Sequence, residues 1–448
     1  MRSEQLSEGR GDATESAAVA PGDEQHQSGG RSFKRVAAAT LIGTLIEGYD
    51  FVLYGVAAAL VFPQVFFPAL GSAAGTIASL ATLGVAFVAR PIGALLFGHF
   101  GDRLGRKRML VATVLTMGLG TTLMGLLPSA ESIGIAAPIL LVLLRFVQGL
   151  AVGGEWAGSV LFATEHAPAD RRGLYSMFPQ IGHSLPVGLS AASLLIVSVS
   201  IGQEDFINWG WRIPFLASAL LLVAGLIIRA GVEETPVFVD EKERGGTVKV
   251  PLFDAFQDKP SAILRGAGVP LVAIMFIYVG NSFLAGYGVK QLGIEQANVL
   301  AAISIAGVMY AVFTVFSALL SDRIGRKRTI VGAQVLAALW ALALFPIIGT
   351  GSVAAFYIGL SVTFALAGAT YGAVGAYLPE QFPTRYRYTA AGVSYNIGGV
   401  LGGGVAPLVA PLVISSAGAP VFGVVLAVLC CVAVACTLSL KENTGNLD

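Results

Sequence analysis

A short charged string occurs twice in this chain, each time between two long apolar stretches. The first copy reads D-R-L-G-R-K-R from Asp102, and the second reads D-R-I-G-R-K-R from Asp322. The two aspartates are 220 residues apart, which is close to half of the 448-residue chain. Two copies of one charged hinge between apolar segments predict a chain made of two homologous halves.

A second repeat supports this division. The string E-H-A-P from Glu165 is followed by Arg172, seven residues after the glutamate, and E-Q-F-P from Glu380 is followed by Arg387 at the same spacing. The two glutamates are 215 residues apart, so the two repeats agree apart from small insertions or deletions. The halves are therefore predicted to run as parallel copies.

The composition places the chain in a membrane. Hydrophobic residues make up 55% of the chain and charged residues only 12%, whereas about a quarter of a soluble domain is charged. Repeated apolar runs of roughly 20 residues are typical of transmembrane helices, so the lipid bilayer is an expected partner. The net charge of +1 favours no nucleic-acid partner. No catalytic triad, metal cluster or nucleotide-binding loop is visible, so we expect neither an enzyme nor a cofactor.

The fold predicted is an all-α membrane protein with twelve transmembrane helices in two six-helix bundles. The predicted spans are 36–61, 74–99, 109–128, 135–162, 174–200, 212–231, 264–288, 296–320, 329–348, 353–378, 389–412 and 417–438. The predicted segments are a disordered tail 1–32, an N-terminal bundle 33–231, a linker 232–262, a C-terminal bundle 263–440 and a tail 441–448.

Lysine and arginine fall on one side of this topology. The loops after spans 2, 4, 8 and 10 and the central linker carry most of the bases, and the opposite loops carry only Arg212 and Lys290. Because cytoplasmic loops hold the excess of Lys and Arg, both termini are predicted to be cytoplasmic. We expect a multi-pass monomer in the inner or plasma membrane.

The repeated hinge resembles the signature loop of the major facilitator superfamily, which occurs between spans 2 and 3 and again between spans 8 and 9. In that family the loop holds the two halves together in the outward-open state. The resemblance implies a gating role for residues of both copies and for the glutamates of the second repeat. These residues are Asp102, Arg103, Arg106, Asp322, Arg323, Arg326, Glu165 and Glu380.

Further motifs are similar to the metabolite:proton symporter branch of this superfamily. They include E-G-Y-D-F from Glu47, R-P-I-G from Arg90, R-F-V-Q-G from Arg145 and G-W-R-I-P-F from Gly210. Carriers of this branch transport shikimate, 2-oxoglutarate, citrate-like acids, proline or betaine. The resemblance, which covers about 33–440, implies proton-coupled import of a small metabolite.

Two carboxylates lie in the middle of span 1. A charge at bilayer depth costs on the order of 2.5–3.5 kcal/mol on insertion scales, so Glu47 and Asp50 are not expected to serve packing alone. With Tyr54 they occupy one helical face, which is predicted to line a cavity. Two acids so close favour protonation of one of them. We therefore expect proton coupling here; a buried ion pair with a base is the alternative.

Arginines deep in spans 2 and 4 are the predicted counterparts. Arg145 shares a helical face with Gln148 and Glu155, and its predicted partner is Asp50 or Glu47 or the carboxylate of a substrate. Protonation of the acid would then free the arginine. Arg145 and Glu155 are therefore also predicted to take part in proton coupling. Arg90 can hold a substrate carboxylate through two hydrogen bonds; pairing with a helix end or another acid is the alternative.

Uncharged polar side chains in other spans are candidates for substrate binding, together with Arg90, Tyr54 and Gln148. In the family, spans 1, 4, 7 and 10 line the cavity, whereas hydrogen bonds between helices are the alternative role. These candidates are Gln180, His183, Tyr278, Asn281, Tyr287, Tyr371, Tyr395 and Asn396.

The function predicted is proton-coupled symport of a small anion or zwitterion that bears a carboxylate, by alternating access. Drug efflux by proton antiport is one alternative, although Leu185 stands where the antiporter motif has glycine before Pro186. A facilitative carrier of the same fold is another. A membrane enzyme, receptor or sensor on this scaffold is a remote alternative, since the tails are too short for an output domain.

Overall fold

A computed structural model of the chain is built of α-helices, with no strand among the residues that it describes. It describes the backbone of residues 21–104, 106–153, 155–165, 172–230, 260–383 and 386–442. Side chains are described from Leu41 onward, apart from those of 98–108, 110, 162, 165 and 228–230. Residues 232–259 of the predicted linker 232–262 lie outside the described residues.

Twelve helical segments coincide with the twelve predicted spans, and we name them in chain order. They are α1 (Pro21–Leu60), α2 (Gly71–Leu104), α3 (Arg106–Leu126), α4 (Ala136–Val152 and Glu155–Glu165), α5 (Arg172–Ile201), α6 (Arg212–Ala230), α7 (Pro260–Lys290), α8 (Gln296–Ile324), α9 (Arg326–Ile348), α10 (Val353–Tyr377), α11 (Arg387–Ala417) and α12 (Ala419–Ser439).

The membrane interpretation is confirmed for most of these helices by their length and apolar character. Ten of the described helices are long and apolar enough to cross a bilayer, and the bent pair Gln203–Gly210 and Arg212–Ile227 makes an eleventh. The shorter apolar stretch Val111–Leu126 occupies the position of the third predicted span. The protein is therefore an all-α multi-pass membrane protein.

At both ends the described chain continues beyond the predicted spans. Helix α1 begins at Pro21, so residues 21–32, predicted as disordered tail, are helical. Proline suits the first turn of a helix because the amide hydrogen that it lacks would have no intrahelical partner there. At the other end, Glu442 accepts hydrogen bonds from the backbone N–H of Arg326 (2.9 Å) and Lys327 (3.3 Å). The first residues of the predicted C-terminal tail thus pack against the start of α9.

The described helices of the two halves meet along several pairs. Helix α5 packs on α8, α2 packs on α11, and α1 contacts α7. Glycines allow the first of these close approaches: a Cβ on Gly188 would lie 2.9 Å from the carbonyl oxygen of Ser304 and 3.5 Å from the Cα of Gly307. Small residues let helix backbones approach where lipid supplies no hydrophobic drive for association. These contacts bring side chains of both halves to the centre of the molecule.

Two helices of the second half are interrupted by π-helical turns. They lie at Val279–Leu284 in α7 and Val400–Val405 in α11. Such turns are frequent at functional sites because they re-aim side chains and loosen the regular ladder of hydrogen bonds. The turn in α7 holds Asn281, one of the predicted binding residues.

Candidate substrate and coupling site

The two arginines predicted for the site lie against the same aromatic ring. The guanidinium carbon of Arg90 on α2 is 4.2 Å from the ring centroid of Phe51 on α1, and that of Arg145 on α4 is 3.8 Å from it. Arg90 also lies over Phe87, and Arg145 over Tyr54, at 4.4 and 4.0 Å. Cation–π contacts stabilise a desolvated guanidinium, so this ring holds two positive charges near the centre of the protein.

Neither guanidinium has a carboxylate partner among the described residues. Arg145 is fully buried, and its Nη1 donates to Oε1 of Gln148 at 3.1 Å, but its Nε and Nη2 have no hydrogen-bond partner. Arg90 is 7% exposed, and its Nε is also without a partner. A buried charge without a partner is strongly destabilising. Such groups are expected where a ligand supplies the missing acceptor.

Aromatic side chains of both halves surround this pair. The rings of Phe51, Phe87 and Tyr278 meet edge to face, with centroids 5.0–6.0 Å apart. Tyr278 comes from α7, and its hydroxyl lies close to the guanidinium of Arg90. The two arginines of the first half therefore lie beside a hydroxyl of the second half.

The acids predicted for proton coupling lie on α1 beside this cluster. Asp50 is 3% exposed, and the hydroxyls of Thr121 on α3 and Ser218 on α6 face its carboxyl group. Its Oδ1 has no hydrogen-bond partner. Asp50 and Arg145 form no ion pair, so the direct contact considered from the sequence does not occur in this structure. The reason is geometric: Asp50 points towards α3 and α6, whereas Arg145 stacks on Phe51 and Tyr54.

The two other predicted acids are partly or fully buried, and two of the predicted polar side chains form hydrogen bonds. Glu47 is 6% exposed, and Glu155 is half-buried at the start of the second part of α4. Tyr54 donates to Oγ1 of Thr82 at 2.5 Å. Gln148 extends the contacts of Arg145, because its Nε2 donates to Oγ1 of Thr121 at 2.7 Å.

A ring of four side chains connects the two halves on one side of the arginines. The indole of Trp156 stacks on Tyr395 with centroids 3.9 Å apart and an angle of 7° between the planes. Trp156 donates to Oε1 of Gln180 (3.1 Å), Gln180 donates to the carbonyl oxygen of Tyr371 (2.8 Å), and the hydroxyls of Tyr371 and Tyr395 lie 3.2 Å apart. The ring therefore joins the two halves at this level.

The other predicted binding residues are placed as follows. Asn281 donates to the carbonyl of Val52 (3.3 Å), and Asn396 donates to that of Gly153 (2.9 Å), so both hold the halves together. Nδ1 of His183 donates to the carbonyl of Pro179 on its own helix at 2.9 Å. Tyr287 is half-buried and packs near Phe283 and Phe345, away from the arginines.

An ionic network joins the halves at the end of the helices where the repeated hinges lie, which we call the basic end. Asp322 accepts from the backbone N–H groups of Gly173 and Leu174, both at 3.0 Å, at the start of α5. A carboxylate at a helix N-terminus is favoured by the unpaired N–H groups and by the helix dipole. Arg326 lies 3.7 Å from Asp322 and pairs with Glu380, which Arg172 also approaches at 3.7 Å.

The remaining predicted gating residues differ in what can be said of them. Arg323 is exposed at the end of α8. The side chains of Asp102, Arg103, Arg106 and Glu165 lie outside the described residues. At the opposite end the halves meet through weaker contacts, where Lys290 donates to Thr76 (2.6 Å) and Gln203 donates to Gln296 (2.7 Å).

Sequence reasoning missed four side chains that build this site. Phe51, Phe87 and Thr121 bear no charge and are indistinguishable in sequence from packing residues. The stacking partner of Trp156 lies 239 positions away, in the other half. To predict these four side chains from the sequence, one would need to know which helices face one another.

The helices, the charged centre and the ionic network between the halves are those of a membrane carrier. The family model of the Major Facilitator Superfamily matches residues 40–407 and 272–446. The chain therefore belongs to the major facilitator superfamily, and it is a transporter and not an enzyme.

Curated relatives cover nearly the whole chain. The inner membrane metabolite transport protein YhjE of Escherichia coli K12 is 41% identical over 411 residues, which is 91% of this chain and 93% of the relative. The shikimate transporter of the same organism is 38% identical and covers 85% of this chain and 88% of its own length. A proline/betaine transporter of Salmonella typhimurium is 33% identical, covering 93% of this chain and 85% of its own. The chain thus groups with metabolite transporters, as the motifs predict.

A solved structure of similar fold is the D-xylose-proton symporter. It matches with a TM-score of 0.71 over 92% of this chain and 99% of its own length, at 19% sequence identity. At this identity the likeness confirms the fold and carries nothing about the substrate.

Proposed function

We propose that this protein imports a small carboxylate-bearing metabolite together with protons, by alternating access. The single observation that carries the proposal is the pair of buried guanidiniums of Arg90 and Arg145, which have donors without a partner and no carboxylate beside them among the described residues. A substrate carboxylate would supply charge and two parallel acceptors to such a donor. The names of the relatives, which include shikimate and proline/betaine transporters, support an organic acid or zwitterion.

Asp50 is the proposed proton site. Its carboxyl is buried on α1 and is not neutralised by Arg145, so an ionised state costs more here than in water. Binding of one proton removes that charge, and no ion pair of the carboxyl has to break. An acid so placed can bind a proton when the site is open to one side and give it up on the other.

The basic end is the proposed cytoplasmic gate. The excess of Lys and Arg there supports a cytoplasmic position for this end and for both termini. The network of Asp322, Arg326 and Glu380 holds this end closed, whereas the described polar contacts at the opposite end are hydrogen bonds without an ion pair. Opening towards the outside therefore breaks weaker contacts than opening towards the cytoplasm, and the bound substrate with its proton would offset the difference.

The decisive experiment is uptake into proteoliposomes under an inward proton gradient. Labelled shikimate, 2-oxoglutarate, citrate, proline and betaine are tested side by side. We expect accumulation of at least one compound that is lost with an uncoupler and in Asp50→Asn, and that persists in Asp205→Asn, a matched change of an exposed acid outside the helices that form the site. Transport of a compound at a rate indifferent to the gradient would make the protein a facilitative carrier instead.

A further inference from the structure

A line of neighbouring side chains leads from the carboxyl of Asp50 to the guanidinium of Arg145. The hydroxyl of Thr121 lies beside the carboxyl of Asp50 and donates to the carbonyl of Met117 at 3.2 Å. Nε2 of Gln148 donates to that hydroxyl oxygen at 2.7 Å, and Oε1 of the same amide accepts from Nη1 of Arg145 at 3.1 Å. Thr121, Gln148 and Arg145 are all fully buried, so water does not compete for these bonds.

We propose that Thr121 and Gln148 transmit the protonation state of Asp50 to Arg145, in place of a direct contact between the acid and the arginine. This inference rests on the proposed function, since it assigns the residues that couple its proton site to its substrate site. Both are positioning residues: they act through Arg145 and need not touch the substrate.

The transmission depends on the single hydrogen of the Thr121 hydroxyl. That hydrogen can point to the carboxyl of Asp50 or to the carbonyl of Met117, which lies 3.2 Å from Thr121 and 3.4 Å from Nε2 of Gln148. With Asp50 ionised, the hydrogen turns to the carboxylate, and the carbonyl of Met117 is left to Gln148. The bonds from carboxylate to guanidinium are then aligned and strengthen one another.

Protonation of Asp50 reverses this arrangement. The neutral carboxyl attracts the Thr121 hydrogen less, so that hydrogen turns to the carbonyl of Met117 and competes with the amide of Gln148 for it. The hold of Gln148 on Nη1 of Arg145 weakens, and the guanidinium becomes more available to a substrate carboxylate. Proton binding therefore favours substrate binding, which is the sign that symport requires, and by linkage substrate binding favours the proton equally.

Few other groups can take over this task. Glu47 and Tyr49 are the titratable neighbours on the same helix, and the phenol of Tyr49 donates to Ser193 at 2.8 Å. Among the described side chains, the polar groups that helices α3 and α6 place beside Asp50 are the hydroxyls of Thr121 and Ser218. The charges of Arg90 and Arg145 lie on the ring of Phe51 instead. The amide of Gln148 is therefore the described route from this carboxyl to a substrate-binding charge.

The test compares two assays of one compound, the one that accumulates best in wild-type vesicles. Gradient-driven accumulation needs coupling, whereas exchange of labelled for unlabelled compound at equal pH does not. In Thr121→Val, which keeps the shape and removes the hydroxyl, we expect accumulation to fall at least about fivefold, the lower end of allosteric couplings. Exchange should persist, with a rate that depends less on pH than in the wild type. Thr121→Ser should restore accumulation.

Two control variants test whether the effect is specific to the hydroxyl of Thr121. Thr122→Val removes the next hydroxyl on α3, which donates only to its own helix at Gly118 (2.8 Å), and should behave like wild type. Ser218→Ala removes the other hydroxyl at Asp50, which does not reach Gln148, and should reduce accumulation far less than Thr121→Val does. Wild-type accumulation in Thr121→Val, or loss of exchange in parallel with accumulation, would overturn the inference. Wild-type vesicles that exchange the compound without responding to a gradient would instead remove the proposed proton coupling and the relay with it.

Discussion

The protein buries positive charge in two places and treats it in opposite ways. At the basic end, Arg326 is 1% exposed and meets the carboxylates of Glu380 and Asp322. At the centre, Arg145 is equally buried but meets only a neutral amide and aromatic rings. Both sites bear the cost of desolvating a guanidinium, and only the first offsets it within the protein. The comparison teaches that the paired charges join the two halves of the fold, whereas the unpaired ones are those for which we propose a substrate as the partner.

The largest effect on stability is expected at the basic end. Arg326→Met leaves Glu380 buried with Arg172 at 3.7 Å as its remaining described arginine contact, and removing one member of a buried ion pair costs about 3 kcal/mol or more. Thermal or denaturant unfolding of the purified protein measures the change. Arg323→Met, an exposed arginine on the same hinge, serves as the control and should change the free energy of unfolding by under about 0.5 kcal/mol.

The same substitution at the centre should act in the opposite direction. Arg145→Met removes a buried charge whose partners are neutral, so the free energy of unfolding should rise, by about 1–3 kcal/mol, while uptake is lost. Arg145→Lys should not restore uptake, because an ammonium cannot present two parallel donors to a carboxylate. A destabilised Arg145→Met protein would contradict the contrast between the two sites.

The smallest effect is expected where the halves meet through aromatic rings. Trp156→Phe keeps an aromatic ring beside Tyr395 and removes the bond to Gln180, which is worth about 0.5–1.5 kcal/mol. Tyr395→Phe keeps the stack and removes only the contact between the two hydroxyls, which is worth about 1 kcal/mol. The stability of both variants and the rate of uptake should therefore change less than in either arginine variant. Equal or larger losses would show that this ring, and not the ionic network, is the main contact between the halves.

Much of the fold was predictable because it depends on local patterns in the sequence. Apolar runs of the length of a bilayer set the positions of the helices, and the repeated hinge located Asp322 and Arg326 before any contact was known. The arginines and acids of the centre were also found, since a charge in an apolar run is conspicuous. The contact partner of Arg145 could not be predicted from the sequence, because the carboxyl of Asp50 points to a different pair of helices, α3 and α6.

The sequence by itself thus determined the class of this protein, the positions of its apolar helices and the identity of its buried charges, since each depends on composition and spacing along one helix. The tertiary structure alone decided which charges are paired, that Phe51 lies between Arg90 and Arg145, and that Thr121 and Gln148 stand between the acid and the arginine. The physical reason is that pairing depends on the rotation and depth of helices far apart in the chain. These are fixed by the packing of whole helix faces, which no local pattern records.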